Sequence, residues 1–437
     1  MRGTGWGTAT GASFVVQGNG AAAASPRGQA VVIGAGIVGL CNAAYLQRDG
    51  WQVTVVDPRP PGEACSFGNC GMMSDHTALP VATPGILKRV PGMLMDPMGP
   101  LAIKWSYIPA LVPWLVRFVA SSSRPRVEEF VRDFGTLINR AKIAYAPLIE
   151  DAKADHLIRK HGSIEVFESA AAFARAQWGI ALRQQHGVPL RVVKPEEIRQ
   201  IEPALGPGFA GAVFREDMDH VVNPLRFSQA IAASIRAKGG TFVQAEARDI
   251  RAGTDGKKRV ETNGASLDAD AVVIAAGAWS KRFARQAGAR VPLDTERGYH
   301  AMLTEPGVSM RVPVKTHEGG FFLTPMELGI RVAGTDELAG LKAPPNYKRI
   351  EPMLVRARRM VPGLNTNKLE PWMGFRPSLP DSKPAIGRAP GMNGVYCAFG
   401  HGHFGLTLAA ATAEAVCDLA AGRTPKLDLA PFSPQRF

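Results

Sequence analysis

Three glycines and one acidic residue have types and spacing that could bind a phosphate-containing ligand. Gly34, Gly36 and Gly39 have GxGxxG spacing, and Asp57 lies 23 residues after Gly34. Glycines in this pattern permit a tight turn, close approach of the backbone to a pyrophosphate and close packing of a helix on a strand. The helix N-terminus adds free N–H groups and a positive dipole end. A carboxylate at the position of Asp57 can accept ribose hydroxyls. The pattern therefore predicts a site for an adenine dinucleotide.

The stretch around these residues has the elements that such a site requires. The apolar run 31–33 is typical of a buried parallel strand, and a β-branched run at 53–56 leads into Asp57. Between them, apolar residues recur at helical spacing until Gly50. That helical stripe consists of Ile37, Leu40, Ala44 and Leu46. A plain βαβ packing unit is the alternative, and the occurrence of strand, glycines, helix, second strand and acid in register disfavours it.

Other stretches could contact the same ligand. The Gly- and Pro-rich stretch after Asp57 offers the hydroxyl of Ser66, the amide of Asn69 and the backbone of Gly71, with a surface loop as the alternative. A strand-like run at 269–276 leads into Ala276 and Gly277. A second glycine-rich loop opens a helix and consists of Gly400, His401, Gly402, His403, Phe404 and Gly405, followed by Leu406 and Thr407. Two histidines without a carboxylate in that loop make a poor metal site, so no metal is expected.

Strand-like patterns of two kinds divide the rest of the sequence. Apolar runs of the buried parallel type occur at 241–245, 269–276, 384–387 and 394–399. Alternating segments at 299–303, 320–324 and 329–333, separated by turn residues, predict an antiparallel sheet instead. The stretch 126–160 has a helical apolar stripe. The sequence thus predicts an α/β fold with a nucleotide-binding part and a second part built on an antiparallel sheet.

Composition restricts the classes of partner. The formal net charge is +13, but the Lys and Arg residues are dispersed, without a nucleic-acid module signature, so nucleic acid is not expected. The five cysteines form no CxxC pair, and free thiols in a reducing cytoplasm are expected, although Cys65 and Cys70 share a loop and could pair. Residues 1–29 are rich in small residues, lack the apolar core of a signal peptide and are expected to be a disordered leader. No run of about 18 apolar residues predicts a membrane-spanning helix.

The segment 85–120 is unusually rich in large apolar side chains. Trp105, Tyr107 and Trp114 lie among aliphatic residues and prolines, and Lys88, Arg89, Lys104 and Arg117 flank or interleave them. Aromatic residues with cations are typical of a segment at an anionic membrane surface. A buried helix pair that caps a substrate pocket is the alternative, because apolar segments are more often core.

Three motifs together carry a family resemblance. GAGIVGL near the start, VVIAAGAWS in the middle, and GFRPSLPDSKPAIGR followed by GHGHFGLT near the end occur in one order. In this combination, which extends from residue 30 to about 422, the chain resembles the FAD-dependent D-amino-acid oxidase superfamily. Within it, the chain looks most like the bacterial D-amino-acid dehydrogenases, with glycine oxidase and sarcosine oxidase as more distant relatives.

The resemblance implies roles for two further residues. The arginine of the family's GxRP motif binds the substrate carboxylate, and it falls on Arg376; a planar guanidinium can hold a carboxylate bidentately. Tyr299 matches a position where a side chain faces the substrate, and its hydroxyl could give a second hydrogen bond; a strand tyrosine packed in the core is the alternative. The loop 400–405 resembles the one that wraps the flavin ring, where a helix N-terminus favours the reduced ring. His401 and His403 are expected to shape that ring pocket.

The resemblance also implies the reaction. We expect oxidation of a D-amino acid, or of a cyclic imino acid such as a D-proline derivative, by hydride transfer to FAD, with electrons passed to a quinone or another non-oxygen acceptor. FAD should be noncovalent, because Gly374 stands where the sarcosine-oxidase branch has its attachment cysteine. A glycine- or sarcosine-type oxidase and the flavin subunit of a heteromeric dehydrogenase are the alternatives, and a homo- or hetero-oligomer is left open. We expect a cytoplasmic protein, peripheral on the inner face of the cytoplasmic membrane if 85–120 binds lipid.

The expected fold class is α/β, with a Rossmann-like FAD-binding domain interrupted by a substrate domain that has a mixed or antiparallel sheet and helices. The FAD-binding domain is predicted to comprise 30–84, 218–290 and 380–425. The substrate-binding domain is predicted to comprise 85–217 and 291–379, and a C-terminal tail follows at 426–437.

Overall fold

The computed structural model describes residues 27–96, 99–253 and 255–437. Most of the expected leader, residues 1–26, therefore lies outside the described residues. The strands, in chain order, are β1 (Gln29–Ile33), β2 (Gln52–Asp57), β3 (Met72–Met73), β4 (Leu101–Ile103), β5 (Ile158–Arg159), β6 (Ser163–Phe167), β7 (Leu190–Val193), β8 (Gly211–Arg215), β9 (Asp219–Val221), β10 (Thr241–Gln244), β11 (Ala247–Ala252), β12 (Lys258–Thr262), β13 (Leu267–Ala269), β14 (Ala271–Ile274), β15 (Asp294–Leu303), β16 (Val314–Thr316), β17 (Phe321–Met326), β18 (Gly329–Leu338), β19 (Leu369–Ser378), β20 (Ala385–Arg388) and β21 (Val395–Phe399).

The α-helices connect and cover these strands. In chain order they are α1 (Ile37–Arg48), α2 (Ile86–Met95), α3 (Ile108–Ala120), α4 (Arg124–Ile138), α5 (Ala141–Ala152), α6 (Ala170–Gln185), α7 (Pro195–Ile201), α8 (Pro224–Ala237), α9 (Ser280–Gln286), α10 (Ile350–Met360) and α11 (Gly405–Ala420). The predicted helix that ends near Gly50 is α1.

A six-stranded sheet carries the first glycine motif. Its order is β10-β2-β1-β14-β21-β20, with parallel pairing except between β20 and β21. Helices α1, α8 and α11 pack in the core on one face, and α9 with the three-stranded sheet β11-β12-β13 packs on the other. The central strands β1, β14 and β21 are apolar on both faces, as is usual for parallel strands that are covered on both sides.

A nine-stranded mixed sheet forms the second layer. Its order is β19-β15-β18-β17-β16-β6-β8-β7, and β4 also pairs with β18. Pairing is antiparallel except between β16 and β6 and between β18 and β4. The three alternating segments predicted from the sequence lie in β15, β17 and β18. The α/β class with a Rossmann-like sheet and a mixed sheet is therefore confirmed.

The division into two domains remains a proposal, and the strands support it better than the helices do. Every strand of the six-stranded sheet comes from the three sections predicted to form the FAD-binding domain. Every strand of the nine-stranded sheet comes from the two sections predicted to form the substrate-binding domain. However, α4 and α5 belong to the section 85–217 and pack on α1 and α11. The Tyr145 hydroxyl of α5, for example, donates a 2.6 Å hydrogen bond to the Leu406 carbonyl of α11.

The segment 85–120 has one packed face and one exposed face. Leu111 and Trp114 of α3 are buried against Leu338 of β18, and the Trp114 indole N–H points at the Ser378 carbonyl 3.4 Å away. On the outer side, Val112 and Val116 are exposed. Within the described residues, the structure contains no helix long and apolar enough to cross a membrane.

Candidate active site

Backbone conformation explains Gly34, and close packing explains Gly39. Gly34 has a φ of +114°, and a Cβ there would overlap the Ala275 carbonyl at the end of β14. A Cβ on Gly39 would overlap the Gly34 carbonyl, so α1 could not approach β1 as closely. Gly36 differs, because a Cβ there would meet only the Ser66 hydroxyl, at 3.4 Å. Gly34 and Gly39 thus shape the turn, whereas Gly36 leaves space beside it.

Asp57 holds the glycine turn from the next strand. Its Oδ2 accepts a 2.8 Å hydrogen bond from the Ala35 N–H, and its Oδ1 accepts one from the Arg59 N–H, also 2.8 Å. Burial raises the pKa of this carboxyl, and the two N–H groups act against that rise. The carboxylate therefore lies at the carboxyl edge of the sheet, in the position predicted for it.

The loop after β2 reaches the start of α1. The Ser66 hydroxyl accepts a 2.9 Å hydrogen bond from the N–H of Ile37, the first residue of the helix. The Asn69 side chain accepts one from the Gly71 N–H, at 2.7 Å, which closes the turn. Ser66 thus uses an N–H group that an anion at this helix end could use instead.

A cleft along the edge of the six-stranded sheet brings together residues from all the predicted cofactor-binding stretches. Those that line it are Gly34, Gly36, Ile37, Asp57, Ser66, Asn69, Ala276, Gly277, His401, Gly402, Gly405 and Leu406. Phe375 and Pro377, which flank Arg376 in β19, also line it. The cleft thus runs from the glycine turn to the second glycine-rich loop, as an extended dinucleotide requires.

The remaining predicted cofactor-binding residues lie around the cleft. Gly39 and Gly400 pack on the Gly34 backbone and on Leu379 respectively. Gly71 lies against the Val221 carbonyl, and the Thr407 hydroxyl donates to the Met72 carbonyl, 3.1 Å away. Phe404 packs edge-on against Phe134, with ring centroids 4.8 Å apart. These residues support the walls of the cleft. Their direct contact with a cofactor stays a prediction.

His401 is a buried, neutral part of the second loop. Its Nε2 is 2.9 Å from the Thr412 hydroxyl of α11, and burial lowers its pKa to about 3. A neutral imidazole at this position suits the predicted role of shaping a ring pocket. Acid–base work at neutral pH does not suit it, because its proton affinity is too low.

The low pKa of His401 predicts acid sensitivity of the fold. Its folded-state pKa lies below the unfolded value of 6.5, so protons bind preferentially to the unfolded chain. The contribution of neutral His401 to the free energy of unfolding is complete above about pH 6.5. It falls by about 2 kcal/mol between pH 6.5 and pH 5. We expect His401→Asn to reduce the loss of unfolding free energy over this range, as measured by urea denaturation. The exposed His186→Asn is the control, and an equal effect of both would contradict the assignment.

Arg376 lies on the face of β19 that points at the second glycine-rich loop. Its Nη1 donates to Asp336 Oδ1 at 2.6 Å and to the Thr335 carbonyl at 2.9 Å. Glu296 is its register partner on β15, and His403 Nε2 lies 3.0 Å from Glu296 Oε2. The predicted carboxylate-binding arginine thus sits among two carboxylates and a histidine.

These carboxylates have pKa values shifted in opposite directions. Burial raises the pKa of Asp336, although the nearby charges of Arg376 and His403 act to lower it. Burial would also raise the pKa of Glu296, but the hydrogen bond to His403 and the charges of His403 and Arg376 lower it overall. Glu296 is therefore the more firmly ionised of the two.

A β-bulge aims Asp336 at Arg376. The register between β15 and β18 shifts between Arg297 and Tyr299, and Thr335 within the shift has a φ of +56°. Such a conformation is unfavourable for a β-branched residue, and bulges are a common way to re-aim a side chain near active sites. As a result, Asp336 faces Arg376, whereas its neighbour Glu337 faces the opposite side of the sheet.

The structure does not bring Tyr299 to Arg376. Tyr299 points to the opposite face of the sheet, is 1% exposed, and packs in the core of the nine-stranded sheet. Its hydroxyl donates to Glu337 Oε2 at 2.6 Å and accepts from the Asn346 N–H at 2.9 Å. This placement fits the alternative of a core tyrosine, so we do not propose that Tyr299 binds the substrate carboxylate.

Sequence reasoning missed Glu296, Asp336 and Ser378. Glu296 belongs to the same ERGYH stretch as Tyr299, and strand alternation would have placed the two side chains on opposite faces. Ser378 follows Arg376 by two residues, so the same alternation places them on one face. Asp336 gave no such signal, because its direction depends on the bulge.

Among the described residues, two clusters bring together side chains that can bind a metal ion. They are Asp75, His76 and Asp217, and Glu296, Asp336 and His403. The expectation that the protein binds no metal stays a prediction. Each cluster contains an arginine ion pair, from Arg215 and Arg376 respectively. All five cysteines are free in the structure, including Cys65 and Cys70.

Comparison with known proteins identifies the family. Residues 29–419 match the DAO family, described as FAD dependent oxidoreductase. The chain is 38% identical over 420 residues to a D-amino-acid oxidase of Bradyrhizobium diazoefficiens, covering 94% of this chain and 100% of that protein. It is 32% identical over 425 residues to a D-amino acid dehydrogenase of Paramagnetospirillum magneticum, covering 93% and 98%. Glycine oxidase from Geobacillus kaustophilus has the same fold, with a TM-score of 0.71, 20% identity and coverage of 94% and 99%.

The chain therefore belongs to the DAO family of FAD-dependent oxidoreductases, and FAD is its cofactor. The cleft fits this group: the start of α1 can face a pyrophosphate, Asp57 can accept ribose hydroxyls, and the loop before α11 lies at the far end. The family and the enzyme class expected from the sequence are confirmed.

Proposed function

We propose that this enzyme oxidises a D-amino acid, or a cyclic imino acid such as a D-proline derivative, at the α-carbon, and passes the electrons to a quinone or another non-oxygen acceptor. One observation carries the proposal: Arg376, partly exposed, pairs with Asp336, which lies 3.9 Å from His403 of the loop expected to border the flavin ring. The names of the relatives in Bradyrhizobium and Paramagnetospirillum, both of which refer to D-amino acids, support the choice of substrate.

The residues of the site have distinct tasks in this proposal. Arg376 binds the substrate carboxylate through charge-assisted hydrogen bonds and so fixes the position of the α-carbon. The buried, neutral His401 and the glycines around it shape the pocket without adding charge. Bound FAD supplies the capacity to accept a hydride. The imino acid that leaves the site is hydrolysed by water.

The first experiment is anaerobic titration of the purified yellow protein with D- and L-amino acids, D-hydroxyproline, glycine and sarcosine. We expect D-substrates to bleach the absorption band at about 450 nm, which belongs to the oxidised cofactor. Reoxidation on admitting air should be slow, and a soluble quinone should accelerate it. If L-amino acids bleach the band and D-amino acids do not, the substrate assignment is wrong.

An oxidase that uses oxygen is the second candidate. It is favoured by the relative in Bradyrhizobium that is 38% identical and named an oxidase. Stoichiometric hydrogen peroxide with rapid reoxidation in air would select this candidate over the dehydrogenase.

The outer side of the segment 85–120 supports an additional proposal, attachment to an anionic membrane surface. Its exposed apolar side chains include Leu87, Met95, Trp105, Val112 and Val116, which are 45–83% exposed. Lys88, Lys104 and Arg117 are also exposed there and match anionic lipid headgroups in charge. The inner side of α3 packs on the second sheet, so this segment could bind lipid without unfolding.

Replacement of both Trp105 and Val116 by serine should test this surface. We expect the protein to cosediment with vesicles that contain phosphatidylglycerol, and the double variant to lose most of that binding. The matched control is Leu328→Ser, because Leu328 is also exposed, at 59%, but lies in the turn between β17 and β18. Equal binding of all three proteins would rule out this surface as the contact.

A further inference from the structure

The side chains around Arg376 carry more negative than positive charge. Asp336 pairs with Arg376, and Glu296 pairs with His403, whose Nε2 is also 3.9 Å from Asp336 Oδ1. The two carboxylates outnumber the one guanidinium of Arg376. A site for a simple carboxylate anion would not need two carboxylates beside its arginine, since like charges oppose binding.

The group is open to a ligand on one side. The side chains of Asp336 and His403 are 30% and 36% exposed, whereas Glu296 behind them is 7% exposed. Arg376 is 18% exposed. Asp336 can therefore move off Arg376 toward solvent without disturbing Glu296.

A buried hydroxyl in the same place is only weakly partnered. Ser378 is 2% exposed, and its Oγ makes no hydrogen bond of good geometry among the described residues, although it interacts with Glu296 closely enough to lower the pKa of that carboxyl. It lies 3.7 Å from where a Cβ on Gly402 would be, next to His403. A buried hydroxyl without a well-formed hydrogen bond is costly, and a ligand in this corner could provide one.

We propose that Glu296, Asp336 and His403 form a subsite for an organic cation, the α-ammonium group of the substrate, beside the carboxylate-binding Arg376. In the free enzyme, Asp336 occupies the place of the substrate carboxylate on Arg376. When the substrate carboxylate takes that place, Asp336 is released and pairs with the ammonium group. A zwitterion therefore leaves both Arg376 and Asp336 paired with an opposite charge, whereas a carboxylate without an amino group leaves Asp336 unpaired.

This inference rests on the proposed function for the role of Arg376, and it adds a rule of selectivity. The site should favour zwitterionic and basic amino acids over those with anionic side chains, and over simple carboxylates. D-Aspartate should bind at least 10-fold more weakly than D-alanine, because its second carboxylate meets the negative group.

The test uses the FAD-loaded enzyme and the variant Asp336→Asn. Dissociation constants for propionate come from the shift of the flavin absorption band, and those for D-alanine from the concentration dependence of anaerobic flavin reduction. We expect the variant to bind D-alanine about 10-fold more weakly and propionate about 10-fold more tightly. The control is Asp268→Asn, because Asp268 also pairs with an arginine but is exposed on β13.

Opposite changes for the two ligands would not follow from a general loss of structure. Unchanged affinities, or changes of the same sign for both ligands, would overturn the proposal. Glu296→Gln should weaken D-alanine binding as well. Agreement between the two variants would show that the effect is not a local perturbation caused by Asp336→Asn alone. If chelators changed the binding constants of the wild type, a metal rather than an organic cation would occupy the subsite and the proposal would fail.

A second pair of ligands identifies the source of the cation. If the α-ammonium group binds here, Asp336→Asn should weaken D-lysine and D-norleucine equally. If only D-lysine is weakened, the side-chain ammonium occupies the subsite and the α-ammonium assignment is wrong. Should no amino acid reduce the flavin, the proposed function fails, while the predicted tightening of propionate still tests the subsite.

Discussion

Arg376→Ala should raise KM for a D-amino acid by roughly 10²–10³-fold while FAD stays bound. Truncating one partner of a hydrogen-bonded charge pair that a ligand buries typically costs about 2–5 kcal/mol, and every 1.4 kcal/mol corresponds to a factor of 10. Here the loss has two sources. The substrate carboxylate loses its bidentate partner, and Asp336 and Glu296 lose the positive charge between them, so the pocket repels the incoming carboxylate.

Two variants separate these sources. Arg376→Lys keeps the charge but not the planar fork, so KM should recover only in part. Arg191→Ala removes an exposed arginine from β7, at the far end of the same sheet, and should leave KM unchanged. Steady-state kinetics with a dye acceptor, together with the flavin spectrum of each variant, makes the measurement. If Arg376→Ala leaves KM within a factor of two of the wild type, the arginine does not bind the carboxylate.

The parts of the site that could be predicted from the sequence are those set by local structure. The strand, turn and helix around Gly34 and Gly39 follow from apolar runs and backbone sterics within a short stretch of chain. Arg376 and the loop 400–405 followed from a family resemblance rather than from spacing. The fold class followed because parallel and antiparallel strands have different hydrophobic patterns.

The parts that could not be predicted depend on pairing between distant strands. Asp336 faces Arg376 only because β18 has a bulge at Thr335. The residue pattern of β18 alone does not predict this bulge. For Tyr299 the resemblance left a substrate contact and a core tyrosine as alternatives, and strand alternation alone would have put it on the face of β15 opposite Glu296. In the same way, α4 and α5 follow the segment 85–120 in sequence but pack on α1 and α11, because their apolar stripe fits that core.

The second large effect is expected at Gly39. Because Gly39 lies within α1, replacement by alanine should by helix propensity alone stabilise the protein by about 1 kcal/mol. The structure predicts the opposite sign, because the added Cβ would overlap the Gly34 carbonyl, which is backbone and cannot rotate away. Overpacking of this kind costs about 1–3 kcal/mol. We expect Gly39→Ala to lower the unfolding free energy of the apoprotein and to abolish FAD binding.

Gly36→Ala is the matched comparison, because its Cβ meets only the Ser66 hydroxyl, 3.4 Å away, and otherwise points into the cleft. The apoprotein of this variant should unfold within about 0.5 kcal/mol of the wild type, as substitutions without a clash usually do. Its FAD affinity should nevertheless fall at least 10-fold, because a methyl group keeps the backbone from the pyrophosphate. Urea denaturation of the apoproteins and fluorescence titration with FAD measure the two quantities separately. Equal losses of stability in both variants would mean that the two glycines share one packing role, and the division between shaping the turn and contacting the cofactor would then be wrong.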